Sequence, residues 1–384
     1  MANKKNTTAS GTSHGSIAGL TRNMVSDNRL SSQTREAVDS GTIRETMPQM
    51  QKGPGGADTR EVILSGMQPT GSLHVGNLEG ALRNWVELQD TYRMYCCIVD
   101  WHALTAEWEH PETMRDRIFM MAVDFLSAGL DPNRCAIFIQ SEVKEHAELH
   151  LLFSMLVSVP TLMRLPTYEE KKDRLDSYGF LGYPVLQAAD ICVYNAHKVP
   201  VGKDQAKHIW LANDLAKRFN HYYGPTLNEP EGLFREIPLI LGSDARKMSK
   251  SYDNHIPLDM TEEETTKRLR TFYTDSQKLR KGDPGRPEQC PIYLLHRIYT
   301  PNAENEIAPP CRTGELGCVD CKMRLAKNLN DALRPIRERR LELLRHPADV
   351  WDVLVDGARR ARERASEVMH KVRGAMKMNY REQG

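Results

Sequence analysis

Between residues 61 and 201, short apolar runs alternate with helix-period patterns, and nothing else in the chain restricts its fold so strongly. Val62-Ile63-Leu64 is a compact apolar run ending in Ser65-Gly66, which reads as a buried strand entering a turn. Leu78, Ala81, Leu82, Trp85 and Val86 follow the i, i+3, i+4, i+7 spacing of an amphipathic helix. A strand at Tyr95-Cys96-Cys97-Ile98-Val99, a helix over 112–128 and a strand at Ala136-Ile137-Phe138-Ile139 continue the alternation. Further strands are predicted at 198–201 and 237–241. Strands that alternate with helices pair in parallel through right-handed crossovers. Beyond about residue 258 strand signals give way to long charged helical patterns. The expected fold class is α/β, a parallel-sheet domain followed by a helical C-terminal domain.

The expected boundaries are an extension over 1–57, the sheet domain over 58–257 and the helical domain over 258–384. Residues 1–57 contain no Phe, Tyr or Trp. Such a segment cannot bury enough apolar surface to offset its ordering entropy, and it reads as disordered. The whole chain is nearly neutral, with 52 Lys+Arg against 51 Asp+Glu, yet residues 321–384 carry 16 against 9. A basic end on a neutral protein points to a polyanion contact there. No apolar run approaches the roughly 20 residues that span a bilayer. Nor does the opening MANKKNTTASGTSHGS have the apolar core of a secretory signal. The expectation is a cytoplasmic protein without membrane contact.

Two segments carry recognisable chemistry. The first strand runs into Gly66-Met67-Gln68-Pro69-Thr70-Gly71-Ser72-Leu73-His74-Val75-Gly76-Asn77 and then a helix. Ligands of open α/β sheets bind beyond the carboxyl ends of strands, where a helix amino terminus offers free N–H groups to a phosphate. Gly76 permits close approach of a nucleotide to the backbone, and His74 can hydrogen-bond phosphate oxygens as charge builds. Some 170 residues later, Lys247-Met248-Ser249-Lys250-Ser251 follows the predicted strand at 237–241. Two lysines three apart on a loop suit a departing pyrophosphate. Alone, each segment is a weak signal.

Together, in this order, they resemble the class I aminoacyl-tRNA synthetases. Asp100-Trp101-His102-Ala103, Tyr183-Pro184-Val185-Leu186-Gln187-Ala188-Ala189-Asp190, Val199-Pro200-Val201-Gly202-Lys203-Asp204-Gln205 and Leu333-Arg334-Pro335-Ile336-Arg337-Glu338-Arg339 narrow the likeness. It is to the bacterial-type tryptophanyl-tRNA synthetase family and covers roughly residues 61–376. The resemblance implies a Rossmann-like catalytic domain and a helical anticodon-binding domain. It also implies a homodimer that uses ATP with Mg²⁺, L-tryptophan and tRNA(Trp). Asp190 matches the aspartate that reads the indole N–H, and Tyr183 and Gln205 match residues that hold the α-amino group. Leu64, Val199 and Val201 correspond to apolar walls, with His102 beside the pocket. Gln187 departs from the pattern, standing where many relatives have Met, so the polar shell around Asp190 is expected to differ.

For ATP the resemblance assigns Gln68, Pro69, Thr70, Gly76, Asn77, Gly202, Lys203, Asp204, Leu239 and the run Lys247, Met248, Ser249, Lys250, Ser251. Asp204 is the natural acceptor for ribose hydroxyls. His74, Lys247 and Lys250 are the expected charge-stabilising catalytic groups, and Lys171 occupies a position where the family often sets a lysine on the phosphates. The Mg²⁺ is expected to arrive with ATP, since no dedicated acid for it is apparent.

Cys290, Cys311, Cys318 and Cys321 form a C-x20-C-x6-C-x2-C series. Four thiols closing on C-x2-C in a reducing compartment read as a metal site, and spacing leaves structural zinc and an iron–sulfur cluster both open. The series resembles that of a subset of tryptophanyl-tRNA synthetases with a 4Fe–4S cluster beside the anticodon-binding region. Rival readings are a tyrosine-specific enzyme of the same fold, a non-catalytic RNA-binding metalloprotein and a small-molecule nucleotidyltransferase. Intact His74, Lys247, Lys250, Asp190 and Gln205 weigh against the non-catalytic reading.

Overall fold

The computed structural model describes residues 59–171, 173, 177–202, 205–234 and 239–380. The side chains of Glu170 and Lys171 also fall outside the description. The expected extension over 1–57 therefore lies outside the described residues, as do Lys203, Asp204 and positions 237–238 of the expected strand at 237–241.

Among the described residues, five strands alternate with helices as the sequence pattern requires. They are β1 (Val62–Met67), β2 (Arg93–Ile98), β3 (Cys135–Ile139), β4 (Lys198–Val201) and β5 (Glu231–Phe234). The helices of the sheet region are α1 (Val75–Asn77), α2 (Arg83–Leu88), α3 (Asp100–Glu107), α4 (Met114–Ser127) and α5 (Glu145–Ser154), then α6 (Val159–Met163), α7 (Pro166–Lys171), α8 (Tyr178–Cys192) and α9 (Ala206–Tyr223). A π-helical turn, Leu78–Leu82, joins α1 to α2, so the predicted helix is one apolar stripe with a widened turn. After β5 follow α10 (Glu262–Arg270), α11 (Pro291–Tyr299), α12 (Ala303–Glu306), α13 (Ala308–Arg312), α14 (Cys318–Arg345) and α15 (Pro347–Ala375).

All strand pairs are parallel, in the order β3-β2-β1-β4-β5. The chain builds outward from β1 to β3 and then returns to the other side of β1. That reversal places a crevice beyond the carboxyl ends of β1 and β4, where open α/β sheets take their ligands. Alternate residues feed opposite faces of the sheet. Ile63, Met94, Cys96, Ile98 and Ile137 join one core, whereas Val62, Leu64, Tyr95, Cys97 and Phe138 join the other. Both faces are covered, which explains why the strands read as near-continuous apolar runs.

The expected strand at 237–241 is corrected by the structure. Leu239 and Ile240 are irregular, and Leu241 makes only an isolated bridge to Lys247. The fifth strand lies earlier, at Glu231–Phe234, an edge strand too polar to announce itself. The apolar residues after it seat a loop instead: Ile240 is buried and its carbonyl accepts from the Met248 N–H at 2.8 Å.

The C-terminal helices share the sheet's core. Leu325, Leu329, Leu333 and Ile336 of α14 pack in the same cluster as Phe125 of α4. Arg340 of α14 forms a buried ion pair with Asp124 of α4 at 2.9 Å. α15 lies so close to β3 that a Cβ on Gly357 would fall 1.8 Å from the Ile137 carbonyl oxygen. Only glycine fits there.

Candidate active site

The crevice at the strand-order reversal holds a cavity of about 440 Å³. Leu64 at the end of β1 and Val199 and Val201 of β4 give it apolar walls. Tyr183, Gln187 and Asp190 of α8 line it at helical spacing, with His102 of α3 and Gln205 at the start of α9. All eight residues expected to contact the amino-acid substrate thus line one cavity. Gln68 and Gly202 from the expected nucleotide set line it as well.

Asp190 is only 2% exposed and fully engaged. Because a carboxylate can only accept, the ring N–H groups must donate: His102 Nε2 to Oδ2 at 2.8 Å and His146 Nδ1 to Oδ1 at 2.6 Å. The Gln140 amide nitrogen donates to both oxygens, at 2.8 and 2.9 Å. On its other side, His146 Nε2 meets the Tyr194 hydroxyl at 2.7 Å. Burial alone would raise the carboxyl's pKa, but His146 and His102 reverse that and hold it below the usual carboxylate range. Asp190 is therefore a stable buried anion. Gln140, His146 and Tyr194 escaped the sequence reading. Their apolar neighbours on β3, α5 and α8 read only as core, and nothing in spacing links positions 140, 146 and 194.

At the polar end, His208 bridges two expected residues. Its Nδ1 lies 2.9 Å from Gln205 Oε1, and its Nε2 lies 3.2 Å from the Tyr183 hydroxyl. The i, i+3 relation between Gln205 and His208 was a usable signal for this pairing.

A second cluster lies where the turn after β1 meets the Lys247–Ser251 loop. The Val75 N–H donates to the Ile256 carbonyl at 2.9 Å, and the Leu258 N–H donates to the Leu73 carbonyl at 2.9 Å. The Lys250 ammonium donates to the Gly71 carbonyl at 2.8 Å. His74 is buried, with its ring edge-to-face on His255 at 5.5 Å between centroids. Burial, then His255 and Lys250, push its pKa down to about 3, so it is a neutral hydrogen-bonding group. A Cβ on Gly76 would come within 2.9 Å of that ring, which accounts for the glycine. Asn77 fastens the turn by accepting from the His74 N–H at 3.1 Å. The Lys250 pKa is lowered by burial, offset by Asp124 and Asp259.

Of the remaining nucleotide expectations, Pro69 is buried, Thr70 is exposed and Met248 is packed in the core. Ser249 accepts from the Ser251 N–H at 3.3 Å. Leu239 is 59% exposed, and Lys247 and Ser251 are exposed too. Lys203 and Asp204 lie outside the described residues, and for Lys171 only the backbone, at the end of α7, is described.

The four expected metal ligands are partly gathered. Cys290, Cys311, Cys318 and Cys321 are half-buried free thiols. Burial, then Cys290, Cys311 and Cys318, push Cys321 up to about 12. Among the described residues, however, no three His, Cys, Asp or Glu side chains stand in metal-ligating geometry, so the expected Cys₄ site is not preformed. Burial raises the pKa of Cys290, Cys311 and Cys321, which disfavours the thiolate form that a metal requires. The donor chemistry fits a metal–thiolate group; the arrangement of the four does not yet display one.

Comparison with known proteins gives consistent results. A family model described as tRNA synthetases class I (W and Y) matches residues 58–334. The tryptophan–tRNA ligase of Thermotoga maritima is 44% identical over 326 residues, which is 83% of this chain and 99% of that protein. The tryptophan–tRNA ligase of Aquifex aeolicus is 39% identical, covering 82% of this chain and 99% of its own length. Among solved structures, the tryptophanyl-tRNA synthetase of Campylobacter jejuni complexed with ADP and tryptophan superposes with a TM-score of 0.76 at 33% identity. It matches 82% of this chain and 99% of that one.

Proposed function

This chain belongs to the class I tRNA synthetases of the tryptophan and tyrosine family, and from that premise we infer that it is an ATP-dependent tryptophan–tRNA ligase. The tryptophan carboxylate attacks the α-phosphorus of ATP in line. One P–O bond forms, one breaks, and pyrophosphate leaves. A terminal ribose hydroxyl of tRNA(Trp) then attacks the adenylate carbonyl and AMP departs. Activation needs no general base, because the carboxylate is already ionised. The observation that carries this reading is the buried Asp190 anion facing the apolar walls of Leu64, Val199 and Val201 in the cavity at the strand-order reversal. Exchange of labelled pyrophosphate into ATP, run with each of the twenty amino acids, tests it. Tryptophan alone should support fast exchange, and exchange with tyrosine instead would reassign the enzyme.

Within this reading, Leu64, Val199 and Val201 flank the indole, Asp190 and His102 sit at its polar edge, and Tyr183 and Gln205 receive the α-amino group. Gln68, Pro69, Thr70, Gly76, Asn77, Gly202 and Leu239 belong to the nucleotide side, with Lys203, Asp204 and Lys171 assigned there by resemblance. Mg²⁺ enters as the ATP complex. His74, Lys247 and Lys250 stabilise charge on the departing pyrophosphate, so catalysis is positioning plus electrostatics. The domain division at 257/258 is retained as a functional one, with the basic helices α14 and α15 on the tRNA side. Among the described residues no helix is long and apolar enough to cross a membrane. A cytoplasmic homodimer completes the reading, and exposed Leu151, Met155, Val159 and Met163 offer apolar surface for the second copy.

The four cysteines belong to the same proposal. Cys290, Cys311, Cys318 and Cys321 would hold a 4Fe–4S cluster, which when bound cross-links the start of the helical region. Support comes from the donor set and from its surroundings: His296 Nε2 lies 3.4 Å from the Cys321 sulfur, and the neighbouring Lys322 ammonium is buried. Anaerobically purified protein should contain about four iron and four sulfide per chain. One zinc and no sulfide would make the site a zinc staple.

A further inference from the structure

The turn that carries His74 is anchored from the far end of the chain. Asp124 of α4 is 1% exposed and accepts on both oxygens, from the Leu73 N–H at 3.0 Å and from Arg340 Nε of α14 at 2.9 Å. Burial raises the pKa of that carboxyl, and Arg340 and the Leu73 N–H oppose the rise. Arg340 is itself buried, and its Nη2 lies 3.6 Å from Asp259 Oδ2. The same Asp259 oxygen accepts from Ser72 Oγ at 3.0 Å. Ser72 and Leu73 immediately precede His74, and Asp259 directly follows the segment whose Ile256 and Leu258 bond to Val75 and Leu73. One guanidinium from the C-terminal helices therefore faces two carboxylates, each of which holds the His74 turn.

We propose that Arg340 is a positioning residue for adenylate formation: through Asp124 and Asp259 it fixes the His74 turn against the Lys250 loop and leaves the Lys250 ammonium available to the phosphates. The proposal rests on the ATP-dependent ligase reading of this site. Burial disfavours the charged form of Lys250, and the same two carboxylates, Asp124 and Asp259, favour it. Arg340 offsets their negative charge. Without it, both would draw Lys250 more strongly and compete with an incoming triphosphate. Among the described residues Arg340 Nη2 makes no hydrogen bond, so at 3.6 Å its attraction to Asp259 is one of charge. The planar fork of arginine can face two carboxylates at once, whereas a lysine at this position would present a single point charge.

The test is single-turnover adenylate formation by the full-length protein at saturating ATP and tryptophan. A purely structural role for Arg340 would lower the amplitude, which counts folded sites, and leave the rate constant of those sites unchanged. Arg340→Met should instead slow the rate constant by about 10- to 100-fold, the range expected when reacting groups are misplaced by up to about 1 Å. Equilibrium tryptophan affinity should be unchanged. Arg340→Lys keeps the charge beside Asp124 and so guards against loss of the fold. Its urea midpoint should stay near that of wild type, and its rate constant should still fall by about 10-fold. A wild-type rate constant in either variant overturns the proposal, as does a loss of tryptophan affinity as large as the loss of rate. A wild type that forms no tryptophanyl-adenylate would defeat the parent reading instead, and the proposal with it.

Discussion

Asp190 and Lys250 lie at opposite ends of the proposed reaction path, and their surroundings differ in kind. Asp190 is locked by four N–H···O contacts from three residues on three separate elements, each buried. Lys250 is half-exposed and, among the described residues, its ammonium donates to one backbone carbonyl, that of Gly71. The amino-acid end is pre-organised, with both Asp190 oxygens satisfied before any ligand arrives. The phosphate end joins two loops by a few bonds, one of which an incoming triphosphate can replace with a stronger charge-assisted contact. On the proposed assignment, selection of the amino acid falls to a rigid network, whereas charge stabilisation falls to a loop held by few bonds.

The largest expected effect comes from breaking the rigid end. Asp190→Ala removes the acceptor for His102, His146 and Gln140 at once. Breaking a buried charged network by removing one partner costs about 3–5 kcal/mol. Leaving a pocket's buried polar groups unpaired can cost roughly 10⁴ in specificity. We expect the variant to fold with a clearly lower urea midpoint and to lose tryptophan activation by about that factor, while ATP affinity barely changes. A variant with a wild-type midpoint and near-normal activation would show that the network does not shape the pocket.

A smaller effect of another kind is expected at the phosphate end. Lys250→Ala should slow adenylate formation by about 10²–10³, the usual consequence of deleting one preorganised charge-stabilising donor. Its stability should stay within about 0.5 kcal/mol of wild type, as for other partly exposed positions. Single-turnover rates measured beside equilibrium tryptophan binding separate the two ends. If Lys250→Ala weakens tryptophan binding as much as it slows the chemistry, the ends are not independent and the contrast fails.

Much of both ends was legible in the sequence, for different reasons. The parallel sheet followed from period and apolar runs, and the residues contributed by β1, β4 and α8 followed from motifs placed on those elements. What stayed hidden was long-range. Gln140 and His146 reach Asp190 from positions 50 and 44 residues away, and only the packing of β3 and α5 against α8 brings them there. The ion pair of Asp124 with Arg340 spans 216 residues, and with it the Leu73 N–H, which Asp124 also accepts at 3.0 Å, is tied to the C-terminal helices. A boundary drawn where strand signals stop cannot show that these helices and the sheet share one core. The edge strand β5 was missed because half its residues face solvent, and the apolar run after it was misread because burial in a loop and burial in a strand look alike in composition.

The smallest effect expected concerns pH, and it distinguishes the two ends by sign and window. His74 has an ordinary unfolded pKa of about 6.5 but is held near 3 when folded, by burial first and then by His255 and Lys250. Between those values the unfolded chain binds a proton that the folded chain refuses. Stability therefore falls as the pH drops from about 6.5 towards 3, at no more than about 1.4 kcal/mol per pH unit from this one residue. Asp190 behaves differently, because its folded pKa is depressed below the unfolded value near 3.9. Its contribution is fully present above that value and is lost only as the pH falls through the carboxylate range and below. Acid should thus loosen the phosphate end first, between about pH 6.5 and 4, while the Asp190 network remains charged. Urea midpoints measured across that interval should decline less steeply for His74→Gln than for wild type. His296, whose pKa burial lowers to about 4, supplies a residual slope that the variant retains. Parallel curves for the two proteins would mean that His74 titrates in the folded protein as it does in the unfolded chain, so that burial does not suppress its charge.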